Sequence, residues 1–257
     1  MALMALDHAS GAFNKGRLFT DSAFLYRAGE TLPPFQFFTR WITHLCAPTF
    51  LFLAGTSLAL SMERREKAGE SRASIDRYLL TRGLFIAALD PVLISWFWRY
   101  DGKIPFQVLF AIGMSFIFMI PLRRLRAARL FGIAIAFILA NELLAGVIDR
   151  IDNALLNSIG SIFFTGGLLP GLIVSYAVFP WLAVMMLGFA FGNVLVKRES
   201  SGAPGRPPAK LLLAGGAFLL PDEQVHPGYN YLGLREMDKR LRYLFHQHGL
   251  DGLRLWL

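Results

Sequence analysis

Long apolar runs separated by short charged loops dominate the pattern of this chain. Five runs stand out, at residues 41–62, 79–98, 104–122, 129–148 and 172–196. A helix rises about 1.5 Å per residue, so roughly 20 apolar residues cross the ~30 Å hydrocarbon core of a bilayer. None of the runs shows the alternation of a half-buried strand. The pattern predicts an all-α, polytopic helical membrane protein with about five full transmembrane helices.

The two ends of the chain do not fit a full span. Residues 1–13 are apolar except for Asp7 and His8 but are too short to cross, so they predict the outer part of an incomplete first helix. On this interpretation the chain starts inside a larger reading frame. Residues 217–257 are polar and predict a cytoplasmic tail, with an amphipathic helix at 232–245. The sequence thus predicts a transmembrane domain over 1–216, with its first helix incomplete, and a tail over 217–257.

Basic residues alternate between rich and poor connections. The rich connections are those after the first, third and fifth runs, and the basic residues in and around them are Arg64, Arg65, Lys67, Arg72, Arg77, Arg82, Arg123, Arg124, Arg126, Arg129, Lys197, Arg198, Arg206 and Lys210. The other two connections hold only Arg99, Lys103 and Arg150. Because cytoplasmic loops carry the excess of Lys and Arg, the rich loops and the tail are expected in the cytoplasm of an inner-membrane protein, and residues 13–40 outside.

Composition agrees with a membrane protein. Apolar residues make up 54% of the chain and charged residues 17%, which argues against a water-soluble enzyme and against disorder. The formal net charge of +8 would indicate nucleic acid in a soluble protein, but here the cationic loops account for it, so no nucleic-acid partner is expected. A single cysteine, Cys46, excludes an intrachain disulfide and a zinc site of several thiolates.

Five ionisable residues fall in the outer half of the predicted membrane layer. An ionisable group in a bilayer is costly and is a functional candidate by default. With the predicted topology, the five are expected to line a polar cavity that opens outward. They are Asp7, His8, His44, Asp90 and Glu142.

Three of these residues also have structural interpretations. Asp90 precedes Pro91, so its carboxylate could satisfy a freed backbone group or pair with an arginine of the tail. Glu142 could pair with Arg99 or Arg150, and His44 could be an interfacial histidine bonded to a carbonyl.

Other motifs predict packing rather than chemistry. Gly188 and Gly192 have the GxxxG spacing of helix contacts, and Gly55 with Ala59 predicts the same role. His246 and His248 would face opposite ways on a helix, so no metal site is expected there.

Four segments resemble a known family of polytopic acetyltransferases. They are RWITHLCAPTFLFLAGTS at 40–57, MALDHAS at 4–10, LTRG at 80–83 and YAVFPWLAVMMLG at 176–188. Together they resemble the bacterial relatives of heparan-alpha-glucosaminide N-acetyltransferase over roughly residues 1–216. The resemblance places His8 at the end of the family's first helix, while the arginine that related acyltransferases carry about ten residues earlier would lie upstream of Met1.

The resemblance implies transfer of an acetyl group from cytoplasmic acetyl-CoA to an amine or hydroxyl of an outer glycan or amino sugar. His8 and His44, with Asp7, are the catalytic candidates, although Asp7 and His8 are about 100° apart on a helix and cannot easily orient each other. An imidazole could take the acceptor's proton or carry the acetyl group covalently. Asp90 or Glu142 could fix its tautomer.

The donor is expected to bind at the basic loops. Arg82, Arg123 and Arg124 are the candidates for the phosphates of acetyl-CoA, although the positive-inside rule alone would explain these charges. Two alternatives remain open. One is a transporter or flippase with a proton relay through Asp90, Glu142 and His44; the other is an inactive, truncated family member.

Overall fold

The structure, a computed structural model, describes residues 45–97, 102–148 and 150–200, together with Ala5 and Ala9. The predicted first half-helix, residues 13–40 and the polar tail lie outside the described residues, apart from those two alanines. The described part is mostly helical, as the sequence predicts.

Seven helices, two π-helical turns and three short strands make up the described part of the chain. In chain order they are α1 (Cys46–Lys67), α2 (Arg72–Leu89), the π-turn Asp90–Ile94, α3 (Ser95–Phe97), β1 (Ile104–Phe106), α4 (Val108–Leu122), α5 (Ala127–Ile148), α6 (Ala154–Gly160), the π-turn Ser161–Thr165, β2 (Gly167–Leu169), β3 (Leu172–Val174) and α7 (Val178–Ser200).

Helix α7 lies at the centre of the bundle. It packs against α1, α5 and α4, while α2 packs mainly against α4. In the apolar 18-residue stretch of α7, 72% of the residues are buried inside the protein, compared with 39% in that of α1. The core around it is rich in methionine and small residues, among them Met185, Met186 and Ala183, none of which is exposed.

Glycines allow α1 and α7 to approach closely. A Cβ added to Gly188 would lie 2.0 Å from the Phe52 carbonyl oxygen, and one on Gly55 would lie 2.1 Å from that of Met185. Thr56 reinforces the contact because its hydroxyl donates to the Gly188 carbonyl oxygen at 3.0 Å. The predicted packing role of Gly188 and Gly55 is confirmed, and Gly192 meets Ala59 in the same interface.

A small three-stranded sheet, not predicted from the sequence, accompanies the helices. β1 pairs in parallel with β3, Ile104 opposite Leu172, and β2 pairs antiparallel with β3. The predicted spans 104–122 and 172–196 therefore begin later, since α4 starts at Val108 and α7 at Val178. Strands of three residues are too short to show an alternation of apolar and polar side chains. In the sequence they cannot be distinguished from the apolar runs that follow them. Gly171, at φ 76°, closes the turn between β2 and β3.

Helix α6 was not predicted from the sequence. Asn153 caps it, because its side-chain oxygen accepts the N–H groups of Leu155 and Leu156 at 3.1 Å. Asparagine before a short apolar run is a recognised helix start.

Two of the described helices, α1 and α7, are long and apolar enough to cross a membrane by length and composition. The predicted count of five spans is not confirmed. Helix α4 has only 15 residues, and α2 begins among charged side chains at Arg72, Asp76 and Arg77.

Candidate functional site

The three residues predicted to perform catalysis, Asp7, His8 and His44, lie outside the described residues. His44 comes two residues before Cys46, where α1 begins. The predicted roles of all three therefore stay predictions.

The amino-terminal end of α1 packs against the beginnings of α4 and α7. Leu51, Ala111 and Trp181 lie in one buried apolar cluster. Ala47, Val108 and Tyr176 pack at its edge. The rings of Tyr176 and Trp181 are 4.9 Å apart between centroids. The amino-terminal end of α1 thus lies in an aromatic and aliphatic environment.

Asp90 is the most deeply buried carboxylate among the described residues, at 1% exposure. It is the first residue of the π-turn Asp90–Ile94, and Pro91 is the second. Its Oδ2 accepts the backbone N–H of Phe110 at 2.7 Å and that of Gln107 at 2.9 Å. These bonds satisfy donors at the start of α4, which have no partner within the helix. Asp90 thus fastens the end of α2 to the start of α4, and the backbone groups that it satisfies belong to α4 rather than to the turn around Pro91.

Glu142 lies in the second half of α5, next to Asn141, and its side chain lies outside the described part. Asn141 is 2% exposed.

Sequence reasoning missed three buried polar atoms. Among the described residues, Ser115 Oγ, Asn141 Nδ2 and Trp181 Nε1 are buried without a hydrogen-bond partner. Such a group costs about 1–3 kcal/mol unless a ligand or water satisfies it. A polar residue within an apolar run, such as Ser115 or Asn141, was the available signal.

Arg123, which the sequence predicts to bind acetyl-CoA, forms an ion pair with Asp76 instead. Its side chain is 5% exposed. It donates to Asp76 Oδ1 from Nη2 at 2.7 Å and from Nε at 3.2 Å, and Glu66 lies 3.6 Å away. Arg124 donates to Asp76 Oδ2 at 2.6 Å. The bond from Arg123 holds the pKa of the Asp76 carboxyl below its usual range. This ion-pair group joins α1, α2 and the loop after α4.

Arg82, the third predicted donor-binding residue, is exposed at the side of α2. Its Nη1 donates to the Tyr78 hydroxyl at 2.6 Å, and its guanidinium lies 5.3 Å from the ring centroid of Phe116. No ion pair to a carboxylate joins Arg82 within the described part of the chain. Arg82 therefore differs from Arg123 and Arg124, both of which pair with Asp76.

No group of three or more His, Cys, Asp or Glu side chains that could hold a metal ion occurs among the described residues.

Comparison with known proteins identifies the family. No curated protein and no solved structure matches the chain. A family model described as heparan-alpha-glucosaminide N-acetyltransferase, catalytic, matches residues 18–219. The match covers all the described helices and strands, as well as His44, and begins after Asp7 and His8. The chain therefore belongs to the heparan-alpha-glucosaminide N-acetyltransferase family, a family of membrane acetyltransferases.

Proposed function

We propose that this protein is a multi-pass membrane acetyltransferase that moves the acetyl group of cytoplasmic acetyl-CoA to an amine or hydroxyl of a glycan or amino sugar on the outer side. The observation that carries the proposal is the match of the catalytic family model to residues 18–219. The structure supports two of its parts, the membrane crossings and the end of the bundle at which the acceptor site is proposed.

Exposed apolar side chains support a bilayer around the bundle and five crossings, by α1, α2 with α3, α4, α5 and α7. Trp96 is 80% exposed, Leu143 75% and Leu139 71%, on α3 and α5. Large apolar side chains exposed to this degree on several helices are expected where lipid surrounds a bundle. With helices in antiparallel succession, the basic residues near Lys67, Arg124 and Lys197 lie at one end, here named the basic end. The positive-inside rule places that end in the cytoplasm.

The direction of α1 supports an acceptor site at the end of the bundle opposite the basic end. Helix α1 runs from Cys46 to the basic end at Lys67, so His44 belongs to the opposite end, outside on this topology. The start of α4, where Asp90 lies, is at the same end, because Val108 and Ala47 pack around one cluster.

The chemistry has two routes. In direct transfer, the acceptor amine or hydroxyl attacks the thioester carbonyl carbon, the C–S bond breaks and the imidazole of His8 or His44 passes the acceptor's proton to the leaving thiolate. In the covalent route, an imidazole nitrogen first takes the acetyl group, releasing coenzyme A, and the acceptor then displaces the imidazole. Both routes yield acetylated acceptor and coenzyme A.

The direct test uses the purified full chain in nanodiscs with acetyl-CoA labelled in the acetyl group and a hexosamine acceptor. We expect labelled product, lost in His44→Ala and His8→Ala and kept in the matched control His246→Ala. Absence of labelled product from the wild-type chain would overturn the proposal. Movement of unlabelled sugar across the membrane without acetylation would support the transporter alternative.

A proton relay through Asp90 has less support. Its Oδ2 already accepts two backbone N–H groups, and protonation of that oxygen would weaken both bonds.

A further inference from the structure

Two arginine side chains converge on one phenol at the basic end. The guanidinium carbon of Arg65, on α1, lies 3.7 Å from the ring centroid of Tyr78, on α2. That of Arg82 lies 5.9 Å from the same centroid, and its Nη1 donates to the phenolic oxygen at 2.6 Å. We name these three residues the Tyr78 cluster.

The Tyr78 cluster keeps unused hydrogen-bond donors. A guanidinium has five N–H donors, and the bond of Arg82 to Tyr78 uses one of them. Arg65 directs Nη1 to the carboxylate of Glu70 at 2.9 Å. Because the Tyr78 oxygen accepts from Arg82, its own proton is free to point toward a further acceptor. An anion at this place would meet donors of three side chains.

The charge of the cluster is only partly neutralised. Glu70 pairs with Arg65, whereas Asp76, two residues before Tyr78 on α2, pairs with Arg123 and Arg124. Among the described carboxylates, none forms an ion pair with Arg82. The cluster therefore has an excess of one positive charge, carried on forks that suit phosphate oxygens.

The surroundings of Arg82 are apolar. It lies six residues beyond Asp76 along α2, about 9 Å at 1.5 Å per residue, next to Leu80 at 41% and Leu84 at 53% exposure. A cation at the boundary between a charged end and an apolar surface gains most from a ligand that itself has a charged group and an apolar part.

We propose that the Tyr78 cluster binds the phosphate group of an organic phosphate at the basic end. Two sources carry this chemistry: the headgroup of an anionic phospholipid, and a soluble phosphate ester such as coenzyme A. In the second case the inference rests on the proposed function, and the cluster holds the donor in place of Arg123, whose guanidinium is occupied.

The test measures both sources with the purified full chain. Coenzyme A is titrated calorimetrically against the protein in nanodiscs of neutral phosphatidylcholine. Separately, retention of phosphatidylglycerol by the detergent-solubilised protein is measured by native mass spectrometry. The variants are Arg82→Gln, which removes the unpaired cation, and Tyr78→Phe, which removes only the hydroxyl. Arg77, the residue before Tyr78 on α2, is also an exposed arginine. Arg77→Gln is therefore the matched control for the loss of one positive charge.

We expect Arg82→Gln to weaken binding of one of the two probes about tenfold to hundredfold, the effect of a charge-assisted hydrogen bond. Tyr78→Phe should weaken the same probe about threefold to tenfold, and Arg77→Gln should leave it unchanged. Loss of coenzyme A binding identifies a soluble phosphate, and loss of phosphatidylglycerol retention identifies a lipid headgroup.

Equal binding of both probes by wild type and Arg82→Gln, or equal loss in Arg77→Gln, would overturn the proposal. Acetyl transfer is assayed separately. A chain that binds either probe through Arg82 but transfers no acetyl group contradicts the proposed function and leaves the phosphate site standing.

Discussion

Asp76 on α2 and Arg123 at the end of α4 are joined by two hydrogen bonds to one carboxylate oxygen, at 2.7 and 3.2 Å. The Arg123 side chain is almost fully buried there and Asp76 is about one-quarter exposed. The pair thus connects two helices where each meets its cytoplasmic loop, on the proposed topology. Removal of Asp76 would leave the buried charge of Arg123 unpaired. Loss of this ion pair should therefore lower the free energy of unfolding more than loss of an exposed pair does.

Replacing Asp76 with Asn should therefore destabilise the bundle. We expect a loss of about 2 kcal/mol, since Arg123 keeps its burial and loses its counter-charge. Thermal unfolding in detergent should show a Tm lower by roughly 4–8 °C. Glu63→Gln is the control, because Glu63 pairs with Lys67 at the exposed surface of α1 and such pairs contribute about 0.3–0.5 kcal/mol. Equal Tm values for the two variants would contradict the structural weight given to Asp76.

The same pair predicts a dependence of stability on pH. Hydrogen bonding from Arg123 lowers the pKa of Asp76 in the folded protein. A lowered pKa contributes stability that is present above the unfolded value, about 3.9, and is lost as the pH falls through the folded value. The Tm difference between wild type and Asp76→Asn should be constant from pH 7 to about 5 and shrink below about pH 4. A difference that grows on acidification would refute this assignment.

The contact between α1 and α7 predicts the effect of a single methyl group. Gly188→Ala places a Cβ 2.0 Å from a backbone oxygen of Phe52, which cannot move without shifting the helix. We expect a loss of about 1–3 kcal/mol or more, seen as a lower Tm and a lower yield of folded protein. Gly132→Ala on α5 is the control, because its Cβ would meet nothing within 4 Å. It should be neutral or stabilise slightly, since alanine favours helix more than glycine does.

Asp90 allows its structural and catalytic roles to be separated. Asp90→Ala leaves the N–H groups of Gln107 and Phe110 without their acceptor and should cost about 1–3 kcal/mol. Asp90→Asn keeps an acceptor oxygen and removes the charge, so its Tm should lie closer to wild type. If Asp90 only fastens α4, acetyl transfer by Asp90→Asn should stay within about threefold of wild type at a temperature where both are folded. A loss beyond a hundredfold in a stable Asp90→Asn protein would show that the charge supports catalysis.

Sequence patterns predicted those features of the fold that depend on residues close together in the chain. Apolar runs located the helices, and small residues such as Gly188 marked the closest packing. The strand pairing of Ile104 with Leu172 was not predictable, because partners 68 positions apart in the chain leave no local pattern in three residues. The same holds for Arg123, whose partner Asp76 is 47 residues away. The loop charges alone could not distinguish this buried arginine from the exposed Arg82.

The place of α7 in the bundle has a consequence for biogenesis. The hydrogen bond between Thr56 and Gly188 can form only after Gly188 is synthesised, 132 residues after Thr56. At roughly 10 residues per second, α1 leaves the ribosome about 13 s before its main packing partner. During that interval the face of α1 that carries Gly55 and Thr56 lacks its α7 partner, so the closest helix contact of the bundle forms late in synthesis.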